Sequence, residues 1–218
     1  MTDVKITKLA QQVIDGSADD APASFQLKRG EEVNLMRLDP TLKKIFIGIG
    51  WDVIGFDTEA PDLDGSVFLL NKDNKTRTDN DFIFYNNLKS DDGAVEHSGD
   101  NRTGAGEGDD ETITIDLMAL PFDVTKIAFV VSIYDALVRE HTFKNVRNCF
   151  IRIVNAETGI ELMRFNLDKE FEQSPKTAAV LVGTLNREGP NWHFDGLGEM
   201  EDGGLPKIAT NYGIVVAQ

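Results

Sequence analysis

Residues 97–117 read HSGDNRTGAGEGDDETITIDL, an acidic and glycine-rich stretch that runs into an alternating segment. From residue 112 onward apolar side chains fall at every second position, which is the pattern of a half-buried β-strand. Between Asp100 and Glu111 the stretch holds five carboxylates, one asparagine and three glycines against one arginine. A solvated surface loop is one interpretation of such a composition. The other is a loop whose oxygens surround a hard divalent cation, because calcium takes roughly six to eight oxygen ligands.

The rest of the chain has the composition of an all-β protein. Short apolar or alternating runs recur from Phe25 to the C-terminus, with turn-forming residues between them. Roughly ten to twelve short strands without a fixed repeat predict a two-sheet β-sandwich with short peripheral helices. Gly48 and Gly50 lie inside one strand and indicate a close backbone approach or a bend. The predicted strands are 32–36, 44–51, 65–70, 82–85, 112–117, 126–134, 149–154, 160–165, 179–185, 192–194 and 214–216.

The N-terminal residues predict a separate extension. Residues 5–15 carry apolar side chains at helical spacing, and residues 15–22 contain the Gly, Asp and Pro that interrupt regular structure. We therefore predict an extension over residues 1–24, as a short helix or an arm, and one domain over residues 25–218. A short helix is expected near residues 203–209.

Charge and composition disfavour several classes of protein. The chain has 22 basic and 37 acidic residues, a net charge of −15, which disfavours nucleic acid and anionic membrane surfaces as direct partners. No stretch reaches the roughly eighteen apolar residues of a membrane span, and the N-terminus lacks a signal-peptide core. The single cysteine, Cys149, allows no intrachain disulfide and is expected to be a buried apolar residue. A cytoplasmic protein without direct membrane insertion fits these observations best.

A second acidic segment adds ligands to the central stretch. Asp62 and Asp64 project from one side of an extended segment. If they approach the central stretch, their charges repel unless a cation lies between them, and the carboxylate count then suits one or two calcium ions. An EF-hand loop is excluded because Arg102 takes the third position and Ala105 the sixth. His97, beside the acidic stretch, is expected to be a surface histidine rather than a group that supports a metal ligand.

The same carboxylates leave an enzymatic alternative open. Paired acids that hold magnesium or calcium occur in phosphoester and glycoside hydrolases. The sequence shows no accompanying base, nucleophile or phosphate clamp, so we expect a non-enzymatic protein with a metal-dependent hydrolase as the alternative. No motif supports a small-ligand or cyclic-nucleotide site independently.

Several longer motifs resemble one known family. These are DLDGSVF at 62–68, DFIFYNN at 81–87 and the central stretch at 97–111, with GWD at 50–52 and RFNL at 164–167 in the same order. Over about residues 25–216 the chain resembles the TerD family of tellurite-resistance and stress-response proteins. The resemblance implies a bacterial, calcium-binding β-sandwich without established enzymatic activity. It also implies work beside the membrane protein TerC and the small TerB protein, so the chain would be cytoplasmic or peripheral at the inner membrane through a partner.

The resemblance also implies a ligand set for one or two Ca²⁺ ions. The acidic and amide ligands fall on Asp62, Asp64, Asp100, Asn101, Glu107, Asp109, Asp110 and Glu111, with backbone carbonyls of Thr103, Gly104 or Gly106 completing the shell. The chain departs from the family pattern at Pro61, where Phe is usual, and at Gly65, where Ala is usual. The expected function is that of a Ca²⁺-dependent binding or scaffold module in tellurite and chemical-stress resistance.

Overall fold

The fold is a β-sandwich, as the strand pattern predicts. A computed structural model describes residues 24–54, 60–99, 108–174 and 176–214. In these residues twelve strands form two six-stranded sheets. Sheet A has the order β1 (Phe25–Leu27), β10 (Glu161–Asn166), β9 (Val146–Asn155), β3 (Lys44–Val53), β7 (Glu111–Asp116) and β6 (Val95–His97). Sheet B has the order β2 (Glu32–Asn34), β12 (Asn191–Met200), β11 (Ala179–Glu188), β8 (Lys126–Ile133), β4 (Leu63–Leu70) and β5 (Phe82–Ile83).

The short helices lie at the periphery. They are α1 (Leu35–Leu38), α2 (Ala136–Arg139), α3 (Asp168–Gln173) and α4 (Gly204–Tyr212), with 3-10 turns at Asp79–Asp81 and Phe143–Asn145. The helix expected near residues 203–209 is therefore confirmed as α4. The predicted N-terminal extension lies almost entirely outside the described residues, as do the last residues of the strand expected at 214–216.

Two predicted strands are at least two residues too long. The one predicted at 82–85 ends at Ile83. The alternation of residues 32–36 suggested a strand throughout, but β2 ends at Asn34 and α1 begins at Leu35. The Asn34 side chain accepts a hydrogen bond from the Arg37 N–H at 3.1 Å, which caps the first turn of the helix. Leu35 is still buried, so the same apolar residue serves the core from a helix instead of a strand.

Two apolar clusters stabilise the sandwich. The larger one fills the space between the sheets with inward-facing residues of both, including Ile47, Ile113 and Phe129. The smaller one lies on the outer face of sheet B, where α4 covers Phe68 and its neighbours with Ile208 and Ala209. Trp51 and Trp192 are both buried and belong to the larger cluster.

Phe68 provides a test of the outer cluster. Its ring is fully buried and stacks on Phe82 with centroids 4.4 Å apart. We expect Phe68→Ala to lower the free energy of unfolding by about 3–5 kcal/mol, because the change leaves a cavity under α4. The matched change Phe122→Ala, at a ring that is 95% exposed, should alter it by less than about 0.5 kcal/mol. Urea denaturation of both variants measures the difference, and equal losses would contradict this account.

Candidate metal site

One end of the sandwich gathers five of the predicted acidic ligands. β3 and β6 end here, β4 and β7 begin here, and Leu63 of β4 pairs with Ile133 at the end of β8. We call this region the acidic end, and it is defined by Asp62, Asp64, Asp109, Asp110 and Glu111. Asp64 is buried and Asp62 is half-buried. Gly65, next to Asp64, contacts Glu111 at this edge of the fold. The approach of the Asp62 and Asp64 carboxylates to the central stretch stays a prediction.

Asp109 points to the outer face of sheet A and pairs with Arg152. The guanidinium Nε and Nη2 donate to the two carboxylate oxygens at 2.7 and 2.8 Å, a bidentate geometry that gives strong, directional hydrogen bonds. Arg152 also donates to Glu161 at 3.0 Å, and Glu161 accepts from Arg164 at 2.8 Å. Asp109 is thus the end of an ion-pair row that crosses strands β9 and β10, and both of its oxygens already have a cationic partner.

The two glycines of β3 make room for this arrangement. A Cβ atom on Gly48 would overlap the Asp109 carboxyl group. A Cβ atom on Gly50 would lie 2.7 Å from the Gly108 carbonyl oxygen and 2.6 Å from the Phe150 ring. The pairing of β3 with β9 also shifts register just after Gly50. The predicted close approach and the predicted bend are therefore both present.

Asp110 lies against the backbone of β3. Its N–H donates to the Ile49 carbonyl at 2.8 Å, and its Oδ2 accepts the Trp51 N–H at 2.8 Å. Burial raises the pKa of Asp110, and repulsion from Asp52, Asp109 and Glu111 raises it further against the opposing Trp51 bond. The charged form of Asp110 is thus disfavoured first by burial and then by its acidic neighbours, and a nearby cation would favour it.

Glu111 joins the two sheets from inside the sandwich. It belongs to β7 of sheet A, and its Oε2 accepts the N–H of Gly65, in β4 of sheet B, at 2.6 Å. Its other oxygen, Oε1, is buried and has no hydrogen-bond partner among the described residues. A buried carboxylate oxygen without a partner is costly. This orphaned oxygen fits the donor that a divalent cation requires.

His97 is not the surface histidine that the sequence suggested. Its side chain is buried, and Nε2 lies 3.0 Å from the Gly65 carbonyl oxygen and 3.6 Å from Glu111 Oε2. Nδ1 accepts the Gly99 N–H at 3.0 Å, so the ring in this geometry carries its proton on Nε2 and donates it to Gly65. Burial lowers the pKa of His97, but Glu111 and the Gly65 carbonyl raise it by more. In β4, the short strand β5 pairs with Val67 and Phe68 and does not reach Gly65. The Gly65 N–H is bound by Glu111 instead, and the Gly65 carbonyl by His97.

The remaining predicted ligands cannot be placed. Asp100, Asn101, Thr103, Gly104, Gly106 and Glu107 lie outside the described residues. Among the residues that are described, no group of three or more His, Cys, Asp or Glu side chains is close enough to hold a metal ion. The ligand set as a whole stays a prediction.

Sequence reasoning missed Arg152 and misjudged His97. Arg152 occupies a polar position of an alternating strand. No local pattern indicates that it pairs with Asp109, which is 43 residues away. Cys149 agrees with expectation, because it is buried in β9 and burial, with Asp168 and Asp110 nearby, raises the pKa of its thiol far above the ordinary value.

The fold and the site define a class of protein: a two-sheet β-sandwich with carboxylates gathered at one end. Residues 23–212 match the TerD domain. General stress protein 16U of Bacillus subtilis (strain 168) is 45% identical over 194 residues, 88% of this chain and 99% of that protein. Tellurium resistance protein TerD of Serratia marcescens is 44% identical over 191 residues, 88% of this chain and 98% of its own length. The chain belongs to the TerD family.

A solved structure supports the fold independently. The crystal structure of a homologue of telluride resistance protein (TerD) from Streptomyces coelicolor A3(2) superposes with a TM-score of 0.63 at 23% sequence identity. The match covers 80% of this chain and 99% of that one. At this identity the likeness concerns the fold alone.

The Asp109–Arg152 pair should contribute measurably to stability. Because the pair is bidentate and the Asp109 side chain is almost buried, we expect a coupling energy of about 1.5–3 kcal/mol in a double-mutant cycle of Asp109→Asn and Arg152→Gln. The matched cycle on Lys89 and Glu96, a longer pair at 3.6 Å with both side chains more than half exposed, should give less than about 1 kcal/mol. Denaturant unfolding measures both, and a similar small value for the two pairs would refute the assignment.

Glu161 should make stability depend on acid pH. Burial raises the pKa of Glu161, but hydrogen bonds from Arg164, Ser24 and Arg152 outweigh it and lower the pKa to about 2. A carboxyl whose pKa is lower in the folded state stabilises the protein above its unfolded pKa and loses this effect as the pH falls through the folded pKa. The difference in unfolding free energy between the parent protein and Glu161→Gln should therefore be constant above about pH 5 and shrink toward pH 2. A difference that does not change over this interval would count against the ion-pair row.

Proposed function

We propose that this protein binds calcium at the acidic end and acts as a Ca²⁺-dependent, non-enzymatic binding or scaffold module in tellurite and chemical-stress resistance. The observation that carries the proposal is Glu111 Oε1, a buried carboxylate oxygen that has no hydrogen-bond partner in the described part of the chain. Beside it lies Asp110, whose pKa is raised by burial and by neighbouring carboxylates. A cation with many oxygen ligands relieves both costs at once.

In this proposal each of the described residues supplies a different part of the site. Glu111 supplies an oxygen from inside the sandwich, while its Oε2 stays on Gly65. Asp110 supplies an oxygen from the loop, and the Trp51 N–H orients its carboxylate. Asp62 and Asp64 approach from sheet B, and the oxygens predicted at residues 100–107 complete the shell. A bound Ca²⁺ contributes positive charge and a fixed geometry to a set of segments that otherwise repel.

The biological setting of the proposal comes from the relatives. Their names refer to tellurium resistance and general stress, and we propose the same role here, in the cytoplasm and beside partners of the TerC and TerB type. No helix in the described part of the chain has the length and apolar character needed to cross a membrane.

Calorimetric titration tests calcium binding directly. Chelator-treated protein is titrated with calcium and then with magnesium, and its melting temperature is followed with and without calcium. A ligand at about a hundred times its dissociation constant stabilises the native state by about 2.7 kcal/mol, so calcium should raise the melting temperature and a chelator should reverse the change. Glu111→Gln should abolish the binding heat, whereas Asp73→Asn, at an exposed turn after β4, should retain it.

Two results would contradict the proposal. The first is the absence of binding heat and of thermal stabilisation at millimolar calcium. The second is hydrolysis of generic phosphoesters that depends on calcium or magnesium and is lost in Asp100→Ala, which would favour the hydrolase alternative.

A further inference from the structure

The acidic end also carries an exposed apolar segment that metal binding does not explain. The segment follows β8 directly and comprises Tyr134–Glu140, including helix α2; we call it the apolar tip. Leu137 is 93% exposed and Val138 is 77% exposed. Two adjacent large aliphatic side chains in water indicate a surface that is covered in some functional state.

The conformation of the apolar tip is enforced from both sides. Asp135 and Glu140 flank α2 with left-handed backbone, φ 48° and φ 56°, which residues other than glycine rarely adopt. The Arg139 guanidinium lies 5.3 Å from the centre of the Tyr134 ring, and the Tyr134 ring meets Tyr85 edge-on. These contacts and the two left-handed residues define the conformation of the segment in which Leu137 and Val138 are exposed.

The apolar tip is linked to the predicted metal ligands. The Tyr134 N–H donates to the Asp62 carbonyl oxygen at 2.8 Å. Asp64 pairs with Ser132, two residues before Tyr134. An ion that fixes Asp62 and Asp64 would thus fix the base of the apolar tip as well.

The chain segment that contains the apolar tip differs in net charge from the whole chain. Residues 134–147 contain three basic residues, Arg139, Lys144 and Arg147, against two acidic ones, Asp135 and Glu140, which leaves +1 in a chain of −15. Lys144 is exposed in the turn that follows the tip. The other exposed apolar loop, with Met118 and Phe122 at the opposite end, has the reverse balance: residues 116–125 contain two acids and no base.

We propose that the apolar tip is a calcium-dependent docking element for an anionic lipid surface. Leu137 and Val138 enter the boundary between headgroups and acyl chains, while Tyr134, which is 40% exposed, lies at headgroup level. Arg139 and Lys144 attract the anionic headgroups. Because the chain as a whole is acidic, the ion-free acidic end repels such a surface, and bound Ca²⁺ removes the repulsion locally. The calcium dependence of this docking rests on the proposed function.

Vesicle sedimentation tests the proposal on the full chain. The protein is mixed with vesicles of phosphatidylcholine and phosphatidylserine, roughly one lipid in three anionic, and with vesicles of phosphatidylcholine alone, each in millimolar calcium or in chelator. We expect binding only to the anionic vesicles and only with calcium. The double substitution Leu137→Ser with Val138→Ser should lower the partition coefficient about tenfold or more, because each aliphatic side chain contributes apolar burial.

The matched control is Met118→Ser with Phe122→Ser at the opposite end. It removes as much exposed apolar surface and should leave vesicle binding unchanged. Calcium titration of both double variants should give the parent affinity, which keeps the two proposals distinguishable.

If calcium binds but vesicles do not, the lipid inference fails alone and the apolar tip is assigned to a protein partner instead. If calcium does not bind at all, the proposed function fails. Equal losses in the two double variants would also overturn the lipid inference.

Discussion

A single buried carboxylate organises the acidic end. Glu111 belongs to sheet A, yet one of its oxygens takes the backbone N–H of Gly65 in sheet B at 2.6 Å. A charged group is held inside the sandwich only if its oxygens have partners, because removal from water is otherwise very unfavourable. The Gly65 backbone supplies a partner to one oxygen, and the second oxygen has none among the described residues. The Glu111 carboxylate thus links the two sheets, and a cation beside its second oxygen would stabilise it.

The neighbouring acids show how three adjacent charges are separated just before and at the start of β7. Glu111 faces the interior, Asp110 lies along the β3 backbone and Asp109 turns to the outer face. Asp109 and Asp110 precede β7, which begins at Glu111, so the period-two rule of a strand, under which residues 109 and 111 would share a face, does not yet apply to them. Each direction meets a different partner: a backbone N–H of the other sheet, a backbone N–H of β3, and Arg152. Three carboxylates that appear equivalent in the sequence therefore have different chemistry, and Asp109 has the weakest claim on a metal ion because its two oxygens already bind a guanidinium.

The sequence was sufficient for the fold and for part of the site. Period-two alternation and turn residues predicted the sandwich, and Gly48 and Gly50 predicted a crowded strand, because these signals are local. The burial of His97 and the pairing of Arg152 were beyond reach, since both depend on which strands become neighbours. His97 is buried on the inward side of β6, where it pairs with Ile113 and its ring binds the Gly65 carbonyl of the other sheet, a contact that no single segment encodes. The early end of β2 at Asn34 shows a local signal that was available, a helix-capping side chain, but alternation outweighed it.

The carboxylates of the acidic end lie next to the base of the apolar tip, so a change in their charge can affect the tip. Carboxylates distributed evenly over the surface would raise solubility and change little else. Here Asp62 and Asp64 precede or begin β4, and the Asp62 carbonyl holds the base of the apolar tip through Tyr134. A ligand changes the relative stability of two arrangements only through its different affinity for them. A divalent cation bound here, as we propose, would have such a difference, because it would favour the arrangement in which segments from both sheets are close. Such an ion would also reduce the negative charge of the acidic end, so geometry and electrostatics would respond together to its binding.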